Sequence, residues 1–191
     1  RTLFQFIITT PKANEASATV KVNYDIAADL DTQATLKATV LDADGNAVAT
    51  GECTVDVCAD RKTPCELTMT VQSPSLWNLE TPTLYTLQTE ITVDGKVTDT
   101  AESTFGIRTF TMDAKNGFLL NGKPVKMRGG CIHHDHAALG ARALPDAEER
   151  KIRLLKKAGF NAVRIEKYVV FIGANTRFVK PKLCDISVIG N

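Results

Sequence analysis

The three histidines of the chain fall within four positions, as His133, His134 and His136, with Asp135 between them. An imidazole can donate or accept a hydrogen bond, move a proton near neutral pH, or bind a metal ion. Three interpretations follow: contact with a substrate such as a sugar, a metal site, or a structural or solvated cluster. Adjacent histidines on a loop rarely converge on a metal without a further ligand, so the metal site is the least favoured.

Arg164 is the second candidate, because it ends a short apolar stretch over residues 160–165. A guanidinium at a strand end could hold a carboxylate through two parallel hydrogen bonds. Its position alone slightly favours an ordinary strand-end cation. Glu148 and Glu149 fit charges in the first turn of a helix better than an acid–base pair. We find no phosphate loop, nucleophile elbow or dinucleotide fingerprint.

A strand, a helix and a second strand should position these side chains. The pattern predicts strands over 125–129 and 160–165, with a helix over 146–158 between them. Asp146 and Glu149 match a capping box at the start of that helix. The two strands should be parallel, which places the histidines at the C-terminal end of the first strand. Active sites of (β/α)₈ barrels lie at that end, but a closed barrel needs about 250 residues. The chain therefore holds at most the opening of a barrel.

The first part of the chain is predicted to be an antiparallel β-sandwich. Apolar and polar residues alternate over 17–26 and 33–40, as in strands with one buried face. Asp94-Gly95 between two such strands is a strong signal for a two-residue hairpin. Further short strands at similar spacing predict an immunoglobulin-like sandwich over 17–111. Residues 1–16 are expected to form a linker or edge segment.

Composition supports a boundary near residue 112. Of 23 threonines, 22 lie in residues 1–111, which carry a net charge of −7; residues 112–191 carry +8. We therefore predict a mainly β chain, with the sandwich followed by a truncated start of a (β/α)₈ barrel over 112–165. The net charge of +1 gives no pull toward nucleic acid or an anionic membrane. No apolar run approaches the 18 residues of a membrane span.

Five cysteines match no zinc signature. Cys58 and Cys65 bracket a short loop that a disulfide could close, while free, half-buried thiols are the commoner arrangement. The sequence leaves the redox compartment open.

Five motifs, in one order along the chain, resemble glycoside hydrolase family 2, the β-galactosidase, β-glucuronidase and β-mannosidase group. They are Ser75-Leu76-Trp77-Asn78-Leu79-Glu80-Thr81-Pro82-Thr83-Leu84-Tyr85, Phe105-Gly106-Ile107-Arg108, Phe118-Leu119-Leu120-Asn121-Gly122-Lys123-Pro124, Arg128-Gly129-Gly130-Cys131-Ile132-His133 and Gly159-Phe160-Asn161-Ala162-Val163-Arg164. The resemblance covers about residues 10–165.

The resemblance implies retaining hydrolysis of terminal β-glycosides by two glutamates whose carboxyl groups lie about 5 Å apart. In the family both glutamates come from later barrel strands, so no catalytic residue is assigned here and the chain alone is predicted to be inactive. By alignment, His133 would contact the sugar and Arg164 would orient the nucleophile carboxylate. His134, Asp135 and His136 receive no role. No cofactor or metal is implied. The expected partner is a β-linked carbohydrate, and the family leaves a periplasmic, secreted or cytoplasmic location open, the first two being favoured.

The family pattern stops abruptly after Arg164. Residues 166–191 form a divergent tail, for which a shifted reading frame near residue 165 is our hypothesis. The rival is a genuine short variant whose tail covers an exposed strand edge. Unpaired barrel strands invite pairing with a second copy, which would give a homo-oligomer. The alternative function is a non-catalytic immunoglobulin-like module that binds a glycan or a protein.

Overall fold

The structure is a computed structural model that describes residues 2–133, 140, 144–165 and 168–171. The chain divides into two compact units. The first comprises the chain up to Trp77 together with Thr83–Thr109. The second comprises Asn78–Pro82 and the chain from Phe110 onward.

The first unit is a sandwich of seven antiparallel strands in two sheets. Its strands are β1 (Thr2–Ala13), β2 (Ser17–Ala28), β3 (Thr32–Leu41), β4 (Ala47–Val57), β5 (Thr63–Gln72), β6 (Tyr85–Val93) and β7 (Lys96–Phe105). One sheet has the order β1-β2-β5 and the other β4-β3-β6-β7. This arrangement confirms the predicted immunoglobulin-like sandwich. Residues 1–16, expected to be a linker or edge segment, contribute β1 at the edge of the first sheet.

The core of the sandwich follows the predicted alternation. Both sheets contribute alternate apolar residues to one cluster, and the strand centres are fully enclosed. The central members are Val20, Val22, Tyr24, Ile26, Ala34, Leu36, Ala38, Val40, Leu87 and Ile91. The threonine-rich faces of these strands lie outward, which explains the skewed composition.

Two tight turns lie at the positions that the sequence predicts. Asp94 and Gly95 join β6 to β7 with φ of 50° and 72°. Asn121 and Gly122 form the equivalent turn in the second unit, with φ of 50° and 75°. A type I′ turn needs a positive φ at both central positions, which Asp, Asn and Gly tolerate best.

A disulfide links the two sheets and corrects the sequence interpretation. Cys53 on β4 is bonded to Cys65 on β5, and Cys58 is a free, partly buried thiol. The pairing of Cys58 with Cys65 was therefore wrong, as was the expectation of free thiols at Cys53 and Cys65. Cys53 and Cys65 lie at the same level of two neighbouring strands, whereas Cys58 lies five residues further, about 16 Å along an extended chain.

The described residues of the second unit form two small sheets and one helix. Its elements are β8 (Phe110–Asp113), β9 (Gly117–Leu120), β10 (Lys123–Pro124), β11 (Gly129–Ile132), α1 (Pro145–Lys157), β12 (Ala162–Ile165) and β13 (Tyr168–Phe171). The first sheet has the order β10-β9-β8 and is antiparallel. The second has the order β11-β12-β13, in which β11 and β12 are parallel.

The parallel pair and its helix confirm the predicted order of strand, helix and strand, but the bounds of the first strand were wrong: it was predicted over 125–129 and lies at Gly129–Ile132. The amide side chain of Asn161 bonds the backbone at Lys126 and Arg128, so this stretch is held without a strand partner. The part of the chain that the structure describes thus contains one parallel step of a barrel. No described helix is long and apolar enough to cross a membrane.

Both ends of α1 have clear local causes. The capping box was wrong: Leu144 occupies the N-cap with no side-chain hydrogen bond, and Asp146 lies inside the first turn. Pro145 at the first helical position sets the start one residue earlier than predicted. At the other end Gly159, with φ of 87°, donates to Lys156 O, and Phe160 N donates to Leu155 O. These two bonds form a Schellman motif.

The tail beyond β12 adds an antiparallel strand. Residues of β13 pair with all four residues of β12, from Ala162 opposite Phe171 to Ile165 opposite Tyr168. The next strand of a barrel would pair in parallel at this edge of β12. In this chain the edge is already occupied by the antiparallel β13.

Candidate functional site

The candidate site begins with the ladder between β11 and β12. Gly129 pairs with Ala162, Cys131 with Arg164, and Ile132 with Ile165. A Cβ atom on Gly129 would lie 2.1 Å from the carbonyl oxygen of Ala162, so only glycine fits at this point. The glycine therefore allows the close approach on which the parallel pair depends.

Helix α1 covers one face of this pair. Ile152 of α1 and Val163 of β12 are buried at 3% and 1% exposure, and Ile132 and Leu155 pack against them. Residues alternate between the two faces of a strand, so the neighbours of Val163 and Ile132 lie on the opposite face. Because α1 covers one face of the β11–β12 pair, only side chains on the opposite face are accessible to a ligand.

Arg164 and Cys131 occupy the face that α1 leaves open. They are direct partners in the ladder, and both are exposed. Partnered residues of adjacent strands project to the same side of a sheet. A guanidinium and a thiol therefore lie side by side there, where the guanidinium is available to a carboxylate or a hydroxyl-rich ligand.

His133 is the first residue after β11 and is exposed. The parallel register places it beyond the end of the ladder, on the C-terminal side of both strands. The two candidates from the sequence, His133 and Arg164, are thus brought to the same end of one strand pair. His134, Asp135 and His136 lie outside the described residues.

The nearby carboxylates are engaged along the helix. Glu148 pairs with Lys151 at 3.3 Å, and Glu149 pairs with Arg153. This agrees with their interpretation as helix charges. Within the described ranges, no group of three His, Cys, Asp or Glu side chains could hold a metal ion.

Sequence reasoning missed two residues of this site. Cys131 was considered only for disulfides, and its pairing with Arg164 required the register to be known. Asn161 was quoted inside a motif without a role, yet its side chain bonds the chain leading into β11. An amide directly before an apolar strand was the available signal, since Asn is otherwise depleted in strands.

The chain thus combines an immunoglobulin-like sandwich with a parallel strand–helix–strand unit, the step that (β/α)₈ barrels repeat. The family model described as Glycosyl hydrolases family 2 matches residues 3–108. The chain belongs to this family.

Individual relatives support membership of this family. A β-galactosidase of Bacteroides ovatus, BoGH2A, is 35% identical over 159 residues, which cover 82% of this chain and 19% of that protein. A solved family 2 structure from Bacteroides cellulosilyticus superposes with a TM-score of 0.80 at 39% identity, covering 85% of this chain and 22% of the other. A β-glucuronidase structure from Bacteroides uniformis gives a TM-score of 0.76 at 29% identity, covering 85% and 20%. The chain thus spans about a fifth of the length of these relatives.

Proposed function

We propose that this chain supplies the middle sandwich and the first barrel step of a β-galactosidase-like family 2 glycosidase. The activity would be retaining hydrolysis of a terminal β-glycoside, with β-linked carbohydrate as the partner. The observation that carries the proposal is the placement of His133 and Arg164 at the C-terminal end of one parallel strand pair. Barrel enzymes build their active sites at that end.

The roles proposed for these side chains follow from their chemistry. His133 would donate or accept a hydrogen bond with a sugar hydroxyl, as an imidazole of either tautomer can. Arg164 would hold the carboxylate of the nucleophile through paired hydrogen bonds, which favours its ionised form. Neither side chain forms or breaks a glycosidic bond itself. The acid/base and nucleophile glutamates are proposed to lie outside these 191 residues.

Hydrolysis of nitrophenyl β-galactoside, β-glucuronide and β-mannoside by the purified chain tests this proposal. We expect no release of nitrophenol above the rate without protein, because retaining hydrolysis needs two carboxylates about 5 Å apart. Turnover that survives His133→Ala and Arg164→Ala would place the chemistry elsewhere in the chain. Turnover that either substitution abolishes would show that a carboxylate pair does exist here.

The site at which a sugar binds, followed by NMR, distinguishes this function from the alternative of a non-catalytic module. If the chain is part of a glycosidase, galactose or glucuronate should perturb the NMR signals of His133 and Arg164, while those of the sandwich stay unchanged. A saturable response confined to the sandwich, over residues 2–109, would instead favour the binding module.

The divergent tail needs its own test. We propose that it arises from a change of reading frame near residue 165. Sequencing the source locus should then reveal barrel-encoding DNA in another frame downstream. A locus without such DNA would favour a short variant, in which β13 serves to cover the edge of β12.

A further inference from the structure

The chain between β10 and β11 lacks a strand partner. Val125 N donates to Phe118 O at 2.9 Å, which ties the start of this stretch to the β9–β10 hairpin. Residues 125–128 lie in no described element, yet β11 begins directly after them. Whatever holds this stretch determines how β11 enters its ladder with β12.

The side chain of Asn161 supplies two of the bonds that a strand would have made. Its Oδ1 accepts a hydrogen bond from Arg128 N at 2.7 Å, and its Nδ2 donates to Lys126 O at 3.0 Å. The backbone N–H of Asn161 also donates to Arg128 O at 2.9 Å. A primary amide carries one acceptor and one donor group, so it can mimic a peptide unit facing this stretch.

The strand that follows is poorly specified by its own side chains. β11 contains Gly129, Gly130, Cys131 and Ile132, and of these only Ile132 packs in the cluster with α1. Register is weakly determined in glycine-rich strands. Gly129 leaves no room for a side chain but does not by itself select a register, since Gly130 has no side chain either.

The consequence of a slip would be severe for the site. A shift of one residue turns every side chain of a strand to the other face. Cys131 would then point toward α1, and Arg164 would lose its present neighbour. The site needs a device that ties β11 to β12 at the start of the ladder.

We infer that Asn161 is that device, a positioning residue whose amide fixes the register of β11 against β12. It thereby places Cys131 beside Arg164 on the open face, with His133 directly after the end of β11. The importance of this placement for sugar binding rests on the proposed function, but the register itself does not.

NMR spectroscopy of the full 191-residue chain tests the inference, with Asn161→Ala as the principal variant. Amide exchange reports protection of Arg128 and of the β11 residues. Cross-strand contacts between Cys131 and Arg164 report the register, and the side-chain Nε–H signal of Arg164 reports its surroundings. Asn116→Ala is the matched control, because Asn116 also uses its amide in this unit, on Asp113 in the β8–β9 turn.

In Asn161→Ala we expect exchange at Arg128 to be about tenfold faster, the effect of losing one typical hydrogen bond. The cross-strand contacts of Cys131 should weaken or move to another partner, and the Arg164 signal should shift. Asn116→Ala should leave all three observations as in the parent chain. Unchanged contacts and an unchanged Arg164 signal in Asn161→Ala would overturn the inference.

A second variant covers the case in which Asn161→Ala does not fold. Asn161→Asp keeps the acceptor for Arg128 N–H but replaces the donor to Lys126 O by a carboxylate oxygen, which repels that carbonyl. This variant should retain the parent register, and amide exchange at Arg128 should stay as slow as in the parent chain. Amide exchange around Lys126 should become faster. Loss of register in a folded Asn161→Asp variant would contradict the inference. None of these observations uses a sugar, so a failure of the proposed function would appear separately, as an absent galactose or glucuronate response in the parent chain.

Discussion

The guanidinium carbon of Arg108 lies 4.5 Å from the centre of the Trp77 ring, in a cation–π contact within the first unit. Trp77 N also donates to Ile107 O at 2.8 Å, and Thr10 Oγ1 donates to Arg108 O at 2.7 Å. Three distant segments, from β1, from the loop before β6 and from the chain just after β7, therefore meet at a junction around Trp77 and Arg108.

Replacement of Gly106 should break this junction. A Cβ atom at Gly106 would lie 2.7 to 2.9 Å from Trp77 side-chain atoms, and the rigid indole cannot yield. We expect Gly106→Ala to lower the free energy of unfolding by about 1–3 kcal/mol, the usual cost of overpacking. Urea denaturation followed by Trp77 fluorescence measures it. Gly51→Ala is the control, since its Cβ would meet Met69 Cγ at 3.0 Å, in a side chain that can rotate aside, and the loss should be smaller. Equal losses would show that indole rigidity is not the cause.

Two adjacent glycines of β11, Gly129 and Gly130, should respond differently to replacement by alanine. Gly129→Ala would drive a methyl group to within 2.1 Å of the Ala162 carbonyl, whereas Gly130→Ala would find Phe160 no nearer than 3.9 Å. In Gly129→Ala we expect the amides of Ala162 and Val163 to lose their protection from exchange. In Gly130→Ala we expect this protection to remain. Exchange in the sandwich should be unchanged in both, because distant sites behave additively. Similar exchange in the two variants would contradict the ladder described for β11 and β12.

Much of the fold was predictable because it depends on local signals. Alternation identifies strands with one buried face, and positive-φ turns such as Asp94-Gly95 fix how they are joined. The helix α1 followed from its apolar spacing and from Gly159 as its stop. These features arise within a dozen residues, so they need no knowledge of the tertiary structure.

What the sequence could not provide depends on pairing between distant residues. The partner of Cys65 was decided by which strands lie at neighbouring sheet edges, not by the shortest loop. The neighbour of Arg164 and the two bonds of Asn161 depend on the register of β11, which only the packed unit defines. The positions of His133 and Arg164 at one strand end were predictable, because they follow from the order of strand, helix and strand alone.

The disulfide between Cys53 and Cys65 should contribute measurably to the stability of the sandwich. It closes a separation of 12 residues, for which the loss of loop entropy in the unfolded chain predicts about 2–3 kcal/mol. Cys53→Ser should lower the free energy of unfolding by that amount and remove the effect of reductant. Cys58→Ser should do neither, since Cys58 is free. Peptide mapping that finds Cys58 bonded to Cys65 would restore the pairing considered from the sequence.

Tyr24 should make the stability of the sandwich depend on alkaline pH. Its hydroxyl bonds Thr89 Oγ1 at 3.0 Å between the two sheets, and both residues are 1% exposed. Burial raises the pKa of Tyr24 from 10.0 to about 12, while the hydrogen bond with Thr89 opposes that rise. The folded chain therefore holds the phenolic proton more tightly than the unfolded chain. The corresponding stability is complete below pH 10 and is lost as the pH rises through about 12.

Urea unfolding between pH 8.5 and 11.5 should reveal this loss as a difference between the parent chain and Tyr24→Phe. Above pH 10 the parent should lose up to about 1.4 kcal/mol per pH unit more than Tyr24→Phe, which cannot titrate there. Thr89→Ala is the control: it removes the hydrogen bond but keeps the buried phenol, so its stability should be lower while its pH dependence persists. All three are best compared in a background in which Cys58, Cys131 and Cys184 are replaced by serine, because a thiolate at high pH exchanges with disulfides. Parallel pH profiles for the parent and Tyr24→Phe would show that Tyr24 titrates alike in the folded and unfolded chains.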